Sequence, residues 1–239
     1  FQVLAARQGK IFYHKAFGHH TYAKEKAVKL TDIYDLASLT KMLATLPIVM
    51  QEVDQRKFNF DTTLGALSPR FKNTNKANLS LKEILSHQSG IVPWVPFYKA
   101  TLREKDGKLL RKYYRNRLTR KNSLEVAENV FARPKVADEQ YKALINSDLW
   151  DKGYHYSDLP FIFMQHILEE TYDKPLNQLF LERIAIPLGL ESTVFSPLKS
   201  IAKERIVPSE IDTYFRQQTL PGYVHDMTAA SQGGVSGRA

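Results

Sequence analysis

The sequence has 239 residues, a formal net charge of +9 and no cysteine. That length accommodates one large domain or two lobes sharing a core. Without cysteine there are no disulfides or thiolate metal sites, and no apolar run reaches the roughly 20 residues of a membrane-spanning helix.

The first elements in the chain are strand-like, at 2–7 and 10–17, joined by a tight turn at Gln8-Gly9; this spacing predicts a hairpin. Phe1-Gln2-Val3-Leu4-Ala5-Ala6 reads as a strand already under way and not as a signal peptide, so the natural N-terminus is expected upstream. A polar segment over 19–34 leads to Asp35-Leu36-Ala37-Ser38-Leu39-Thr40-Lys41, where Ser38 stands at the start of a predicted helix and Lys41 one turn later. Residues three apart on a helix share a face, so the hydroxyl and the amine can meet. A serine is a weak nucleophile unless a neighbouring base takes its proton, and a lysine serves only when neutral.

The spacing S-x-x-K by itself occurs by chance roughly once in a chain of this length. Ser196-Pro-Leu-Lys199 and Ser200-Ile-Ala-Lys203 also match. Ser38 alone opens an apolar stripe, through Leu39, Met42, Leu43, Leu46, Val49, Met50 and Val53, with the period of a buried helix. The competing role for Ser38 is a helix N-cap, and for Lys41 a surface position on an amphipathic helix. Pro47 inside the stripe predicts a kink.

Ser80-Leu81-Lys82-Glu83 is a capping box opening a short helix through Ile84 and Leu85, and Gly90 suits its stop. Val92-Pro93-Trp94-Val95-Pro96-Phe97 is an aromatic loop stiffened by two prolines, which walls a pocket or covers the core. The 98–150 segment reads as a charged insertion with one helix near 123–131. Within it the basic stretch 99–121 holds nine Lys/Arg from Arg103 to Lys121, interleaved with Tyr113 and Tyr114. A solvated basic face accounts for it, and a nucleic-acid patch is the alternative.

An apolar helix follows from Asp158, with Pro160 in its first turn. A second runs over about 175–184 and ends at Pro187-Leu188-Gly189-Leu190. Strand and loop signals return after Ser196. The histidines show no ligand spacing, so no metal or other cofactor is expected; His225 reads as a structural or supporting residue.

Several stretches together resemble the penicillin-recognising serine hydrolases, in the branch of class C β-lactamases, esterases and D-peptidases. Ser38-Leu39-Thr40-Lys41 resembles the family's S-x-x-K, and Tyr156-Ser157-Asp158 its second motif, a tyrosine followed two residues on by asparagine. Tyr114-Arg115-Asn116 also matches, but only Tyr156 is followed directly by an apolar helix. Leu85-Ser86-His87-Gln88-Ser89-Gly90-Ile91 and Ile186-Pro187-Leu188-Gly189-Leu190-Glu191-Ser192-Thr193 resemble two longer family segments.

The resemblance implies an α+β fold of β-lactamase/transpeptidase type in a single domain over 1–239. Its helical lobe is 38–199 with the insertion 98–150, and its antiparallel sheet lobe comes from 1–37 and about 200–239. It also implies a serine hydrolase forming an acyl-enzyme on an amide, ester or β-lactam carbonyl. Ser38 is the expected nucleophile, Lys41 and Tyr156 the expected proton-handling residues, and Asp158 and Trp94 the expected substrate contacts. The family's usual substrates point to a small molecule or a peptidoglycan-derived peptide, and to a periplasmic or otherwise extracytoplasmic site of action.

Two departures stand against a direct transfer. Asp158 replaces the family's amide and, when ionised, offers no N–H donor. The third motif, [KH]-[ST]-G, does not occur before Ala239, which predicts a sheet lobe truncated at its C-terminal side. Tyr223-Val224-His225-Asp226 with Gly233-Gly234-Val235-Ser236-Gly237 looks like modules attached to a family-three glycoside hydrolase. A non-catalytic peptide- or glycan-binding module beside such a glycosidase is therefore the alternative function.

Overall fold

The computed structural model describes residues 1–233. The stretch 234–237, on which part of the glycosidase-module likeness rests, lies outside the described residues. The predicted hairpin is present as β1 (Gln2–Arg7) and β2 (Lys10–Ala16), antiparallel and turned at Gln8-Gly9, where both residues have positive φ.

The next helix carries the first surprise. Its opening is a π turn over Lys41–Thr45, which runs into α1 (Leu46–Asp54), and Pro47 sits in the first turn of α1. The proline expected to kink the helix therefore follows a wider turn. Proline lacks an N–H and clashes with the carbonyl four residues back, and a π turn is one way to accommodate it. The predicted apolar stripe is not the buried face. Lys41, Ala44, Thr45, Ile48, Val49 and Glu52 are buried, while Leu39, Met42, Leu43 and Met50 are exposed.

After α2 (Leu64–Leu67) comes α3 (Leu81–Leu85), with both halves of the Ser80/Glu83 capping box formed. The stop lies earlier than predicted: Ser86 is the C-cap and His87 takes the left-handed conformation at φ 58. Gly90 serves a different need. At φ +74, a Cβ there would stand 2.3 Å from the Trp150 carbonyl oxygen, and Trp150 N–H donates to the Gly90 carbonyl at 2.7 Å.

The helix expected near 123–131 is instead a hairpin. It forms β4 (Leu124–Ala127) and β5 (Val130–Ala132), and β5 also pairs with β3 (Tyr114–Arg115) in an antiparallel sheet of order β3-β5-β4. Asn129 at φ 57 makes the turn, and the β-branched Val126 and Val130 favour the pleated state. The helix of this region lies further on, as α4 (Lys135–Ile145).

The central helix is α5 (Leu159–Tyr172), buried through Leu159–Gln165 and again at Ile167 and Leu168, with Pro160 in its first turn as predicted. It is followed by α6 (Leu176–Phe180), a second π turn at Leu181–Ala185 and α7 (Ile186–Leu188), ended by left-handed Gly189. The helical run thus ends within the predicted Pro187-Leu188-Gly189-Leu190 stretch and includes Pro187, again just after a π turn. The described chain closes with β6 (Ile211–Asp212), β7 (Gln218–Thr219) and α8 (Met227–Ala230).

The main core joins α1, α3, α4, α5 and α6, with Phe163 edge-on to Phe71 at 5.1 Å and to Tyr141 at 6.2 Å. A smaller cluster joins Tyr114, Val126, Ala132, Phe215 and Ala230. Helices and antiparallel sheets thus make up the α+β architecture. Among the described residues, no helix is long and apolar enough to cross a membrane.

The close approach at Gly90 is separable from its backbone conformation. Gly9→Ala, at φ +75 with nothing within 4 Å of the new Cβ, should lower stability in urea unfolding by about 1–2 kcal/mol. Gly90→Ala must also displace the Trp150 carbonyl and should cost about 3 kcal/mol or more; equal losses would contradict this account.

Candidate active site

The site begins with a strained turn. Ala37 has φ +46, a left-handed conformation that costs an L-residue about 1–2 kcal/mol. It directs the chain from Asp35 into the helix through three successive tight bonds, Leu39 N–H to Leu36, Thr40 N–H to Ala37 and Lys41 N–H to Ser38 carbonyls. Ser38 is left exposed at the helix entrance, and Lys41 turns inward to 3 % exposure.

Lys41 meets two oxygens there. Its Nζ donates to Ser38 Oγ at 2.9 Å and pairs with Asp158 Oδ1 at 2.7 Å. Aromatic rings enclose the amine, with the Tyr156 centroid 5.0 Å and the Phe161 centroid 5.9 Å from Nζ. A buried ammonium requires such partners, because an unpaired one is strongly disfavoured away from water.

Tyr156 and Asp158 are placed by a second segment. His155 N–H donates to the His87 carbonyl at 2.9 Å and Asp158 N–H to the Pro93 carbonyl at 3.1 Å. Ser157 Oγ donates to the Val92 carbonyl at 2.8 Å, and Ser157 N–H approaches His87 Nδ1 at 3.2 Å. The segments 87–93 and 155–158 are therefore stitched together by main-chain bonds. The His87 ring lies 4.6 Å from that of Tyr156. Burial, with the nearby Lys41 charge, holds the His87 imidazole below its ordinary range, against the opposing pull of Asp158.

The structure thus brings Ser38, Lys41, Tyr156 and Asp158 together from two distant segments. Trp94 is placed differently: its ring is 38 % exposed and packs toward Tyr98 at 6.3 Å, which in turn packs against Tyr214 and Phe215. His87 is the residue that sequence reasoning passed over as a participant. Its signal was its place in the Leu85–Ile91 stretch, although nothing there revealed a ring against Tyr156. Among the described residues, no group of acidic residues and histidines could hold a metal ion.

Comparison with known proteins extends this picture. Residues 1–233 match the family model described as Beta-lactamase. A protein of Escherichia coli (strain K12), provisionally named a D-alanyl-D-alanine carboxypeptidase, is 28% identical over 262 aligned positions, covering 99% of this chain and 55% of the relative. An N-acetylmuramyl-L-alanine amidase of Bacillus subtilis (strain 168) is 27% identical over 263 positions, covering 99% of this chain and 54% of the relative. The octameric penicillin-binding protein homologue from Pyrococcus abyssi has a TM-score of 0.63 at 15% identity over 99% of this chain and 54% of that one, a likeness of fold. The chain spans about half the length of the curated relatives it matches.

The His87 environment has a measurable consequence. A histidine whose folded pKa is lowered binds fewer protons folded than unfolded, so stability rises with pH from the folded pKa up to the unfolded value near 6.5 and is then level. An NMR titration should place His87 below 6.5, and Lys41→Met, which removes the repelling charge, should raise it. A titration unchanged by that substitution would contradict the electrostatic contact.

Proposed function

The chain belongs to the β-lactamase family, and from that premise we propose that it is a serine hydrolase in which Ser38 forms an acyl-enzyme with an amide, ester or lactam carbonyl. The observation that carries this reading is the 2.9 Å bond between Ser38 Oγ and a buried lysine amine at a helix entrance.

In the step proposed, Ser38 Oγ bonds to the carbonyl carbon and loses its proton as the carbonyl oxygen becomes an oxyanion. An ammonium has no lone pair for that proton. In the reacting form the Lys41–Tyr156 pair carries one proton fewer: the Lys41 ammonium, paired with Asp158, orients the hydroxyl, and the phenolate of Tyr156, whose ring lies against the same Nζ, accepts the proton. Lys41 and Tyr156 then share the return of a proton to the leaving group, and water attacking the ester releases the acyl product and regenerates Ser38.

The oxyanion has one donor at hand. Among the described residues no acceptor is paired with the Ser38 main-chain N–H, and it points from the start of a helix, where developing negative charge is favoured. Asp158 is occupied with Lys41, so we assign it to holding the amine in place, and substrate orientation falls to other groups. The names of the carboxypeptidase and amidase relatives support cell-wall peptides as the substrate class, and with them an extracytoplasmic site of action.

Labelling of the full chain by a fluorescent penicillin or fluorophosphonate tests the assignment. Ser38→Ala should abolish labelling, and Tyr156→Phe should slow it by about 10²–10⁴, the usual contribution of a general base. A folded wild-type chain that labels at neither probe, or a Ser38→Ala chain that still labels, refutes the nucleophile.

A further inference from the structure

The turn that presents Ser38 is tied to the far end of the chain by polar contacts that the proposed reaction does not use. Asp35 Oδ1 accepts the Ala37 N–H at 2.9 Å, which fixes the residue directly before Ser38. Its Oδ2 accepts the His225 main-chain N–H at 3.2 Å and lies 3.1 Å from His225 Nδ1, across 190 positions of sequence.

His225 is itself held from behind. Arg216 donates through Nη1 to the Val224 carbonyl at 2.7 Å and through Nη2 to the His225 carbonyl at 2.8 Å. The Nε of the same guanidinium binds Asp212 Oδ2 at 2.7 Å, and neither side chain has any exposure. Asp212 also accepts the main-chain N–H groups of Tyr214, Phe215 and Arg216. A carboxylate and a guanidinium so fully bonded form a fixed point inside the protein.

Packing holds the Ser38 turn only in part, because Leu36, Ser38 and Leu39 are exposed and Asp35 and Ala37 are half-buried. A left-handed alanine in an exposed turn relaxes unless its hydrogen bonds over-determine it. We propose that Asp35 and His225, anchored by the Arg216–Asp212 pair, are positioning residues that hold the strained Ala37 turn so that the Ser38 hydroxyl meets Lys41. This inference rests on Ser38 being the nucleophile.

The electrostatics of the contact agree. Burial works to raise the Asp35 carboxyl, but the His225 side chain and the Ala37 and His225 main-chain N–H groups outweigh it and hold it below the usual carboxylate range. The hydrogen bond to Asp35 raises the His225 imidazole against the effect of burial, with Asp226 and Glu210 adding to the acidic surroundings.

The test compares the full chain with His225→Leu, which removes the side-chain contact, and His225→Asn, which keeps a side-chain N–H donor. Amide exchange of segment 36–41, read by mass spectrometry, should quicken about tenfold in His225→Leu, as expected for local opening, while the melting temperature stays close to wild type. Fluorophosphonate labelling of Ser38 should slow by about 10–100-fold, the scale of a small misplacement of a reacting group. His225→Asn should recover most of both. Should His225→Leu fail to fold, Asp35→Asn, which keeps an acceptor for Ala37 and weakens the His225 contact, is read in the same way.

Unchanged exchange over 36–41 overturns the proposal, and so does faster exchange with an unchanged labelling rate. A wild-type chain that never labels, but whose 36–41 exchange responds to His225→Leu, overturns the hydrolase reading while supporting the clamp.

Discussion

An amine taken out of water must find acceptors, and Lys41 finds Ser38 Oγ on its own helix and Asp158 on the segment that opens α5. This pairing fixes more than one contact. It sets the rotation of the first helix, because the face that carries Lys41 must turn toward α5. It also fixes where α5 begins, since Asp158 has to reach the amine while its own N–H is held by Pro93. The apolar length of α5 behind Asp158 then anchors that end in the core. Hydrophobic burial positions the helix, and the ion pair selects which of its ends faces Ser38.

The two π turns belong to the same design. Each spans five residues and each is followed by a proline, Pro47 in one case and Pro187 in the other. The wider turn changes the angular phase of the helix, so residues before and after it do not share the face that a 3.6-residue period assigns. The two altered helices also meet: Glu52 of α1, fully buried, pairs with Arg183 of the second π turn at 2.6 Å. At this contact, as at Lys41, the buried face of the first helix carries charge and the partners lie on neighbouring helices.

That inversion explains what the sequence disclosed and what it concealed. Elements governed by local chemistry were legible: the hairpin at Gln8-Gly9, the Ser80/Glu83 capping box and the proline-started helix at Leu159. The face of the first helix was not, because a pattern rule that sends Leu39, Met42 and Leu43 inward cannot know that Lys41 and Glu52 have buried partners. The stretch near 123–131 misled for another reason. Its Leu, Val and Ala residues suit a helix or a strand, and the left-handed Asn129 that decides the matter shows only in three dimensions. Ser38, Lys41 and Tyr156 could be picked out from short motifs. His87 against Tyr156, and Asp35 with His225, depend on contacts between segments far apart, which no local pattern encodes.

Backbone strain is present on both sides where these segments converge. Ala37, just before Ser38, and His87, beside Tyr156, are both non-glycine residues with left-handed φ. Neither conformation is intrinsically favoured, and each is bound by hydrogen bonds to another part of the chain: Ala37 through Asp35, His87 through its carbonyl to His155 and its ring to Ser157. The strain on one side presents the hydroxyl, and that on the other presents the phenol. Both are bound by polar contacts between segments, with the His87 ring also packed against Tyr156, so a loss at either would loosen the arrangement of Ser38, Lys41 and Tyr156 well before it unfolded the core around Phe163. Stability and positioning are thus carried by different parts of this molecule, the first by the helices and the second by the bonds between their ends.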